Sequence, residues 1–385
     1  MAVNARLAPF GTSVFAEMTR LATQHGAINL AQGFPDFDGP EHVKAAAKAA
    51  IDAGHAQYAR MPGIPELNRA LASQWKAETG LEVDPDAQIT ITAGCTEAIA
   101  ATLLGLLNPG DEVVIFEPFY DSYRACVELA GATPRFVTLR VPDFAFDPAE
   151  LRAAFTSRTR AVLFNTPHNP TGRVFTREEL TLIAELCRDT GAIAISDEVY
   201  ERLVYEGEHI SIATLPGMAE RTITLSSLGK TFSLTGWKIG WAIAPPELTK
   251  AVRAAHQFLT FAVNTPMQHA AVAALASPPS YFQQLLADYR RKRDLLADAL
   301  MQIGFGLQRP QGSYFIYADH TPISSRLGLS GDVEFCKHLT ATIGVAAIPP
   351  TAFYYNTEHG RPLVRFAFCK KDETLHAAIE RLKRL

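Results

Sequence analysis

Arg221-Thr222-Ile223-Thr224-Leu225-Ser226-Ser227-Leu228-Gly229-Lys230-Thr231-Phe232-Ser233-Leu234-Thr235-Gly236-Trp237-Lys238 starts as a β-branched apolar segment and breaks into small polar residues. Arg221 to Leu225 reads as a short buried strand. The break presents one lysine, Lys230, and a second, Lys238, follows past a glycine-aromatic step. A lysine on a short loop after a strand is where an α/β protein holds a reactive amine. An isolated lysine is ordinarily a solvated surface charge, so the rest of the chain must decide. Gly-Lys-Thr also suggests a phosphate-binding P-loop. That motif needs a second glycine six residues before the lysine, and Thr224 stands there.

Around this stretch, short apolar runs alternate with helical patterns. Strands are predicted at Ile89–Thr92, Glu112–Phe116, Arg135–Leu139, Ala161–Asn165, Ala192–Ser196, Ile223–Leu225 and Ile239–Ala244. Helices are predicted at Thr96–Leu107, Tyr120–Ala130, Pro148–Ala154 and Arg177–Thr190. This is the pattern of βαβ units around a largely parallel sheet. Thr12–His25, Glu41–Ala53 and Pro65–Thr79 also read as helices, and Pro245–Leu300 is mostly helical. After Gly304 come strands at Ser313–Ala318 and Leu363–Phe368, with helices at Val333–Thr342 and Asp372–Leu382. The division is a large domain over 41–276, a smaller α+β domain over 277–385, and an N-terminal arm over 1–40 that packs with the small one.

At 385 residues the chain exceeds the usual size of one domain. Apolar residues make up 48%, as in an ordinary globular protein, and the net charge of −4 leaves no basic stripe for nucleic acid or an anionic membrane. Five scattered cysteines without a CxxC argue against a disulfide framework or a zinc site, so no metal is expected and a reducing compartment is. Met1 to Phe10 shows no signal-peptide pattern and no apolar stretch reaches transmembrane length; the expected location is cytoplasmic.

Four further features fall in predicted strands or at their ends, where open α/β sheets place ligands. Thr92-Ala93-Gly94-Cys95-Thr96-Glu97 leads a strand into a helix whose free N–H groups suit a phosphate; an ordinary capped helix is the plainer reading. Asn165-Thr166-Pro167-His168-Asn169-Pro170-Thr171-Gly172 fixes Asn169 rigidly between two X-Pro steps, either of which is open to a cis peptide. Ile193-Ala194-Ile195-Ser196-Asp197-Glu198-Val199-Tyr200 delivers an aspartate that either caps a helix or pairs with a buried cation. Arg365, inside Leu363–Phe368, is an edge gatekeeper or a carboxylate clamp.

A lysine, an aspartate with a tyrosine, a phosphate cradle, a rigid asparagine and a carboxylate-binding arginine together suit pyridoxal 5′-phosphate (PLP) and an amino acid. The sequence resembles the class I/II, fold-type I PLP-dependent aminotransferases over nearly its whole length. Asn-Pro-Thr-Gly, Asp-Glu-Val-Tyr and Ser-x-x-Gly-Lys occur in the family's order and spacing. Asn29–Phe37, Gly229–Trp241 and Leu259–Gln268 are most similar to the kynurenine/glutamine transaminases and bacterial methionine aminotransferases.

The resemblance implies roles residue by residue. Lys230 matches the Schiff-base lysine and proton carrier, and Asp197 the partner of the pyridine nitrogen. Tyr200 and Asn169 match the donors to the phenolic oxygen, and Tyr120 the aromatic stacked on the ring. The phosphate would be held by the N–H groups of Cys95 and Thr96, by Ser227 and by Lys238. Cys95 departs mildly from the family's usual Ser, Gly or Thr. Tyr58 matches a tyrosine that reaches the phosphate of the partner subunit, which implies a homodimer with shared sites. Arg365, with Asn169 and the backbone at Gly33, would hold the substrate α-carboxylate, and Phe15 matches an aromatic lid.

The resemblance also bears on substrate. Aspartate-specific relatives carry a second arginine in the stretch that is here Gln257–Val263, which has none. The expected donors are therefore methionine, phenylalanine, tyrosine, kynurenine or glutamine, with a 2-oxo acid acceptor. Alternatives are a cysteine-conjugate or cystathionine β-lyase, a succinyl-diaminopimelate aminotransferase, and a PLP-fold sensor without turnover. Intact Lys230, Asp197, Tyr200 and Arg365 argue against the last.

Overall fold

Eleven strands organise the chain in the computed structural model, which describes residues 4–11 and 13–385. They are β1 (Ile28–Asn29), β2 (Ile89–Thr92), β3 (Glu112–Glu117), β4 (Thr133–Thr138), β5 (Thr159–Asn165), β6 (Ile193–Asp197), β7 (Thr222–Ser227), β8 (Gly240–Ile243), β9 (Phe315–Asp319), β10 (Val345–Ala346) and β11 (Leu363–Ala367). Seven form one sheet in the order β2-β8-β7-β6-β5-β3-β4. β8 runs antiparallel to both β2 and β7, and the other adjacent pairs are parallel. Within the sheet β3, β6, β7 and β8 are buried at every position, because helices cover both faces. That double burial is why Val113–Phe116 and Ile193–Ile195 read as continuous apolar runs, while β7 buries the threonines and serines that alternate with Ile223 and Leu225. The edge strand β4 is half-exposed along its first four residues.

The helices follow the predicted periodicity. In Pro65–Thr79 the residues Leu67, Leu71 and Trp75 repeat at four-residue spacing and are all buried. Arg177–Thr190 opens on a capping box between Thr176 and Glu179 and closes on Gly191, in the left-handed region at φ 74°. The predicted Thr12–His25 helix is observed as Val14–His25 with Ser13 as its cap; Thr12 lies outside the described residues, as do Met1 to Val3. Gly105 lets the Gly94–Leu106 helix meet the Pro246–Leu259 helix. A Cβ there would come within 2.0 Å of the Ala251 carbonyl oxygen.

Beyond the large sheet, β9 and β11 pair antiparallel with Arg365 opposite Tyr317. β1 pairs parallel with β10, Ile28 opposite Val345, so the start of the chain lies against its C-terminal quarter. No helix among the described residues is long and apolar enough to cross a membrane.

One local expectation is corrected. Lys230 sits in a single helical turn, Leu228–Thr231, rather than in a loop. Four residues, one of them Gly229, directly after a strand give no periodicity to read.

Candidate active site

The C-terminal ends of β5, β6 and β7 carry Asn165, Asp197 and Ser227, and register pairs Asn165 directly with Asp197. Parallel strands end together, so residues far apart in sequence open onto one cavity of about 200 Å³. Nine of the thirteen predicted site residues line it: Cys95, Thr96, Tyr120, Asn169, Asp197, Tyr200, Ser227, Lys230 and Lys238. Gly33, Arg365, Phe15 and Tyr58 do not. Arg365 bonds Asn169, Phe15 lies against Arg365 and Gly33 against Phe315, while Tyr58 is 83% exposed, edge-on to Phe261 at 5.5 Å.

Asp197 is a buried carboxylate and not a helix cap in water. Its Oδ2 accepts from the Tyr123 hydroxyl at 2.7 Å and its Oδ1 from the Val199 N–H at 3.2 Å. Burial pushes its pKa up to about 6 against the pull of those donors. A cation brought beside it would lower that value again. Lys230 is half-buried in the same cavity, and desolvation lowers its pKa, favouring the free amine. Its Nζ donates to the Tyr314 hydroxyl at 3.0 Å.

Asn169 is held at both ends. Its N–H donates to Asn165 Oδ1 at 2.6 Å, and Asn165 Nδ2 donates to the Asp197 carbonyl at 2.7 Å. Both X-Pro steps around it, Thr166-Pro167 and Asn169-Pro170, are cis. Asn169 Oδ1 accepts from Arg365 Nη1 at 3.2 Å, and Arg365 Nη2 donates to the Ala31 carbonyl at 3.0 Å. Arg365 is 1% exposed, its Nε has no partner, and it makes no ion pair among the described residues. The rings of Phe315, Phe353 and Phe15 lie 4.3, 5.0 and 5.3 Å from its guanidinium carbon. Burial lowers its pKa, yet a guanidinium stays protonated. A buried, incompletely bonded cation of this kind calls for an anion from outside the chain.

The same cavity holds groups that suit a phosphate. The Gly94–Leu106 helix has no side-chain cap, so the N–H groups of its first turn are free for an anion. Gly94 sits at φ 75°, and a Cβ on it would meet Lys238 Nζ at 3.0 Å; the glycine makes room for the ammonium. Lys238 itself takes a left-handed φ of 56°, uncommon for a side chain of its size. Gly240 of β8 plays the matching part, since a Cβ there would lie 2.5 Å from the Gly94 carbonyl carbon. Glu97 accepts from the Ala93 N–H at 2.9 Å and bonds His256 Nδ1 at 2.9 Å, while His256 Nε2 reaches the Met61 carbonyl. The cradle is thereby tied to the loop that bears Tyr58. An uncapped helix start, an ammonium and a serine, opening onto the same cavity as a buried carboxylate and an amine, fit PLP.

Sequence reasoning missed Tyr123, Asn165 and Tyr314. Asn165 was quoted as part of a motif without a role. The two tyrosines lie outside every motif, and only the fold brings their hydroxyls to Asp197 and Lys230.

Comparison with known proteins agrees with this geometry. Residues 25–382 match the family model described as aminotransferase class I and II. The solved structure of N-succinyldiaminopimelate aminotransferase from Mycobacterium tuberculosis superposes with a TM-score of 0.96 at 48% identity, covering 100% of both chains. A methionine aminotransferase of Escherichia coli is 40% identical over 99% of this chain and 98% of its own. A kynurenine–oxoglutarate transaminase of Dictyostelium discoideum is 40% identical over 98% of this chain and 94% of its own. With its fold-type I architecture, this chain belongs to the class I and II aminotransferases and is a PLP-dependent enzyme.

Proposed function

We propose that this aminotransferase moves the amino group of an apolar or aromatic L-amino acid to a 2-oxo acid in two half-reactions. Methionine, phenylalanine, tyrosine, kynurenine and glutamine are the candidate donors. The observation that carries this reading is Arg365, a buried fork with an unpartnered Nε beside Asn169, suited to an α-carboxylate. The absence of an arginine from Gln257–Val263 favours an uncharged side chain on the donor. The names of the Escherichia coli and Dictyostelium relatives support methionine and kynurenine. A second reading, N-succinyldiaminopimelate as donor, is favoured by the name of the Mycobacterium relative at 48% identity.

In this reading the free amine of Lys230 would carry the proton removed from the substrate α-carbon. PLP, when bound, would supply an electron-withdrawing pyridine ring to that chemistry. Asp197 holds the proton on the ring nitrogen. Tyr200 and Asn169 would donate to the phenolic oxygen, and Tyr120 would pack against the ring. The first-turn N–H groups at Cys95 and Thr96, with Ser227 and Lys238, hold the phosphate, joined by Tyr58 of the partner subunit. Arg365, Asn169 and the Gly33 backbone orient the carboxylate, and Phe15 closes over it and excludes water.

The proposed assembly is a homodimer, supported by the exposed Tyr58, edge-on to Phe261, and by the exposed Phe258 three residues before Phe261. A reducing, cytoplasmic setting is supported by five buried, free cysteines. The proposed division is an arm over 1–40, a large domain over 41–276 and a small one over 277–385, supported by the pairing of β1 with β10.

The test is the visible spectrum of the loaded enzyme with each donor and no oxo acid. Bleaching by L-methionine, and recovery on adding a 2-oxo acid, is the expected result; Lys230→Ala should abolish it. Bleaching by N-succinyldiaminopimelate alone would move the assignment to the second reading. Release of pyruvate from a cysteine conjugate without bleaching would make the enzyme a β-lyase.

A further inference from the structure

The amine of Lys230 has one protein hydrogen-bond partner among the described residues, the Tyr314 hydroxyl at 3.0 Å. That hydroxyl has a single proton, and it donates it to the Gly33 carbonyl at 2.6 Å. With its proton committed, the phenol can offer Lys230 only a lone pair. The amine must therefore point an N–H at Tyr314, which turns its remaining valences toward the cavity.

The phenol has no freedom to reorient. Tyr314 is fully buried, edge-on to Tyr200 at 5.1 Å and to Phe315 at 4.8 Å, and stacked on Tyr289 at 6.1 Å. Gly33 lies flat against the same rings, because a Cβ on it would come within 2.6 Å of Phe315. The neighbouring carbonyls are fixed as well. Leu30 accepts from the Ala367 N–H, Ala31 from Arg365 and Phe34 from Lys370. The acceptor that locks the Tyr314 proton is thus itself immobile.

We propose that Tyr314 is a positioning residue for Lys230, holding its free amine by an accepted hydrogen bond and tying it to the Gly33 backbone. The phenol need not touch cofactor or substrate for this, and it does not line the cavity. Its effect acts on the proton affinity of the amine. A lone pair offered to Nζ stabilises the ammonium more than the neutral amine. The other groups facing Lys230 are Cys369, Asp197 and Cys95, which favour the ammonium, the Tyr200 ring at 5.7 Å, and Arg365, which with burial opposes it. Tyr314 therefore limits how far burial lowers the lysine.

The proposal rests on Lys230 being the reactive amine, which the spectral test with Lys230→Ala examines separately. Its own test is competitive acetylation of the full-length chain stripped of cofactor, followed by peptide mass spectrometry across pH. Lys48, 73% exposed, serves as internal reference. Tyr314→Phe keeps the ring and removes the lone pair. Its Lys230 profile should move down by about one pH unit, so that labelling near neutral pH rises up to about tenfold against Lys48. A profile superposable on the native one would overturn the proposal. Should Tyr314→Phe not fold, 3-fluorotyrosine at position 314 keeps shape and hydroxyl but weakens the acceptor. It should shift the profile the same way by less, and an unmoved profile would again overturn the idea.

Discussion

Arg365 carries its charge where no carboxylate among the described residues neutralises it. It is fixed by Asn169, the Ala31 carbonyl and three phenylalanine rings, and all of these leave Nε unused. Arg365→Ala should raise KM for amino-acid donors and lower kcat/KM by about 30- to 1000-fold, from loss of one bidentate charged contact. Cofactor retention after dialysis should stay near native. Arg365→Lys should fall between, since an ammonium keeps the charge and loses the fork. An unmoved KM in both variants would put the clamp elsewhere. Residues of this kind were legible because their surroundings are unusual: an arginine inside Leu-Val-x-Phe-Ala, or an aspartate ending an apolar run. Tyr123 and Tyr314 were not legible. A tyrosine is ordinary in a core, and nothing local shows that its hydroxyl meets Asp197 or Lys230.

Strand β7 and the turn after β6 meet at a second acid, Glu201. It follows Asp197 by four residues and accepts from Ser226 Oγ at 3.2 Å. Burial, helped by nearby Glu198 and Asp197, pushes its pKa up to about 8 from 4.5. The folded chain thus binds a proton there that the unfolded chain has released. Stability from this site is present below about pH 4.5 and is lost as pH rises toward 8, with Asp197 adding the same sign between 3.8 and about 6. The slope per site cannot exceed about 1.4 kcal/mol per pH unit, and residual solvent contact at Glu201 makes it smaller. Glu201→Gln keeps an acceptor for Ser226 and removes the ionisation. Its Tm should therefore be flatter than the native Tm between pH 6 and 8. Equal slopes in the two proteins would remove Glu201 from the account. Most elements were legible in the sequence to within a few residues, because β3, β5 and β6 carry apolar runs between turn signals and β7 is rich in β-branched residues. The antiparallel direction of β8 was not, since a strand's direction is set by what its neighbours leave open. The helical turn at Lys230 is too short to show a period.

At the scale of the whole molecule, the exposed apolar side chains bear on the proposed homodimer. Phe258 is 86% exposed and Tyr58 83%, with Leu259 and Phe261 beside them, and Thr265 pins the Tyr58 loop by donating to the Gln57 carbonyl. A pinned aromatic patch is a surface awaiting cover. Under a two-fold axis each residue is used twice, so one substitution per chain removes two contacts. Phe258→Asp should then cost about 3–6 kcal/mol of association, a weakening of roughly a hundredfold or more. Sedimentation against protein concentration should show monomer in the variant where the native protein remains dimeric. Tyr58→Phe is the complementary variant. It keeps the apolar area and removes only the hydroxyl that resemblance sends to the partner's phosphate site. The dimer should survive, while the cofactor should dialyse away faster than from the native enzyme. If Phe258→Asp sediments as the native protein does, the patch covers nothing. If Tyr58→Phe holds its cofactor as the native enzyme does, the two sites do not share that residue. The variants separate assembly from cofactor binding because one alters the area of the patch and the other a single polar atom.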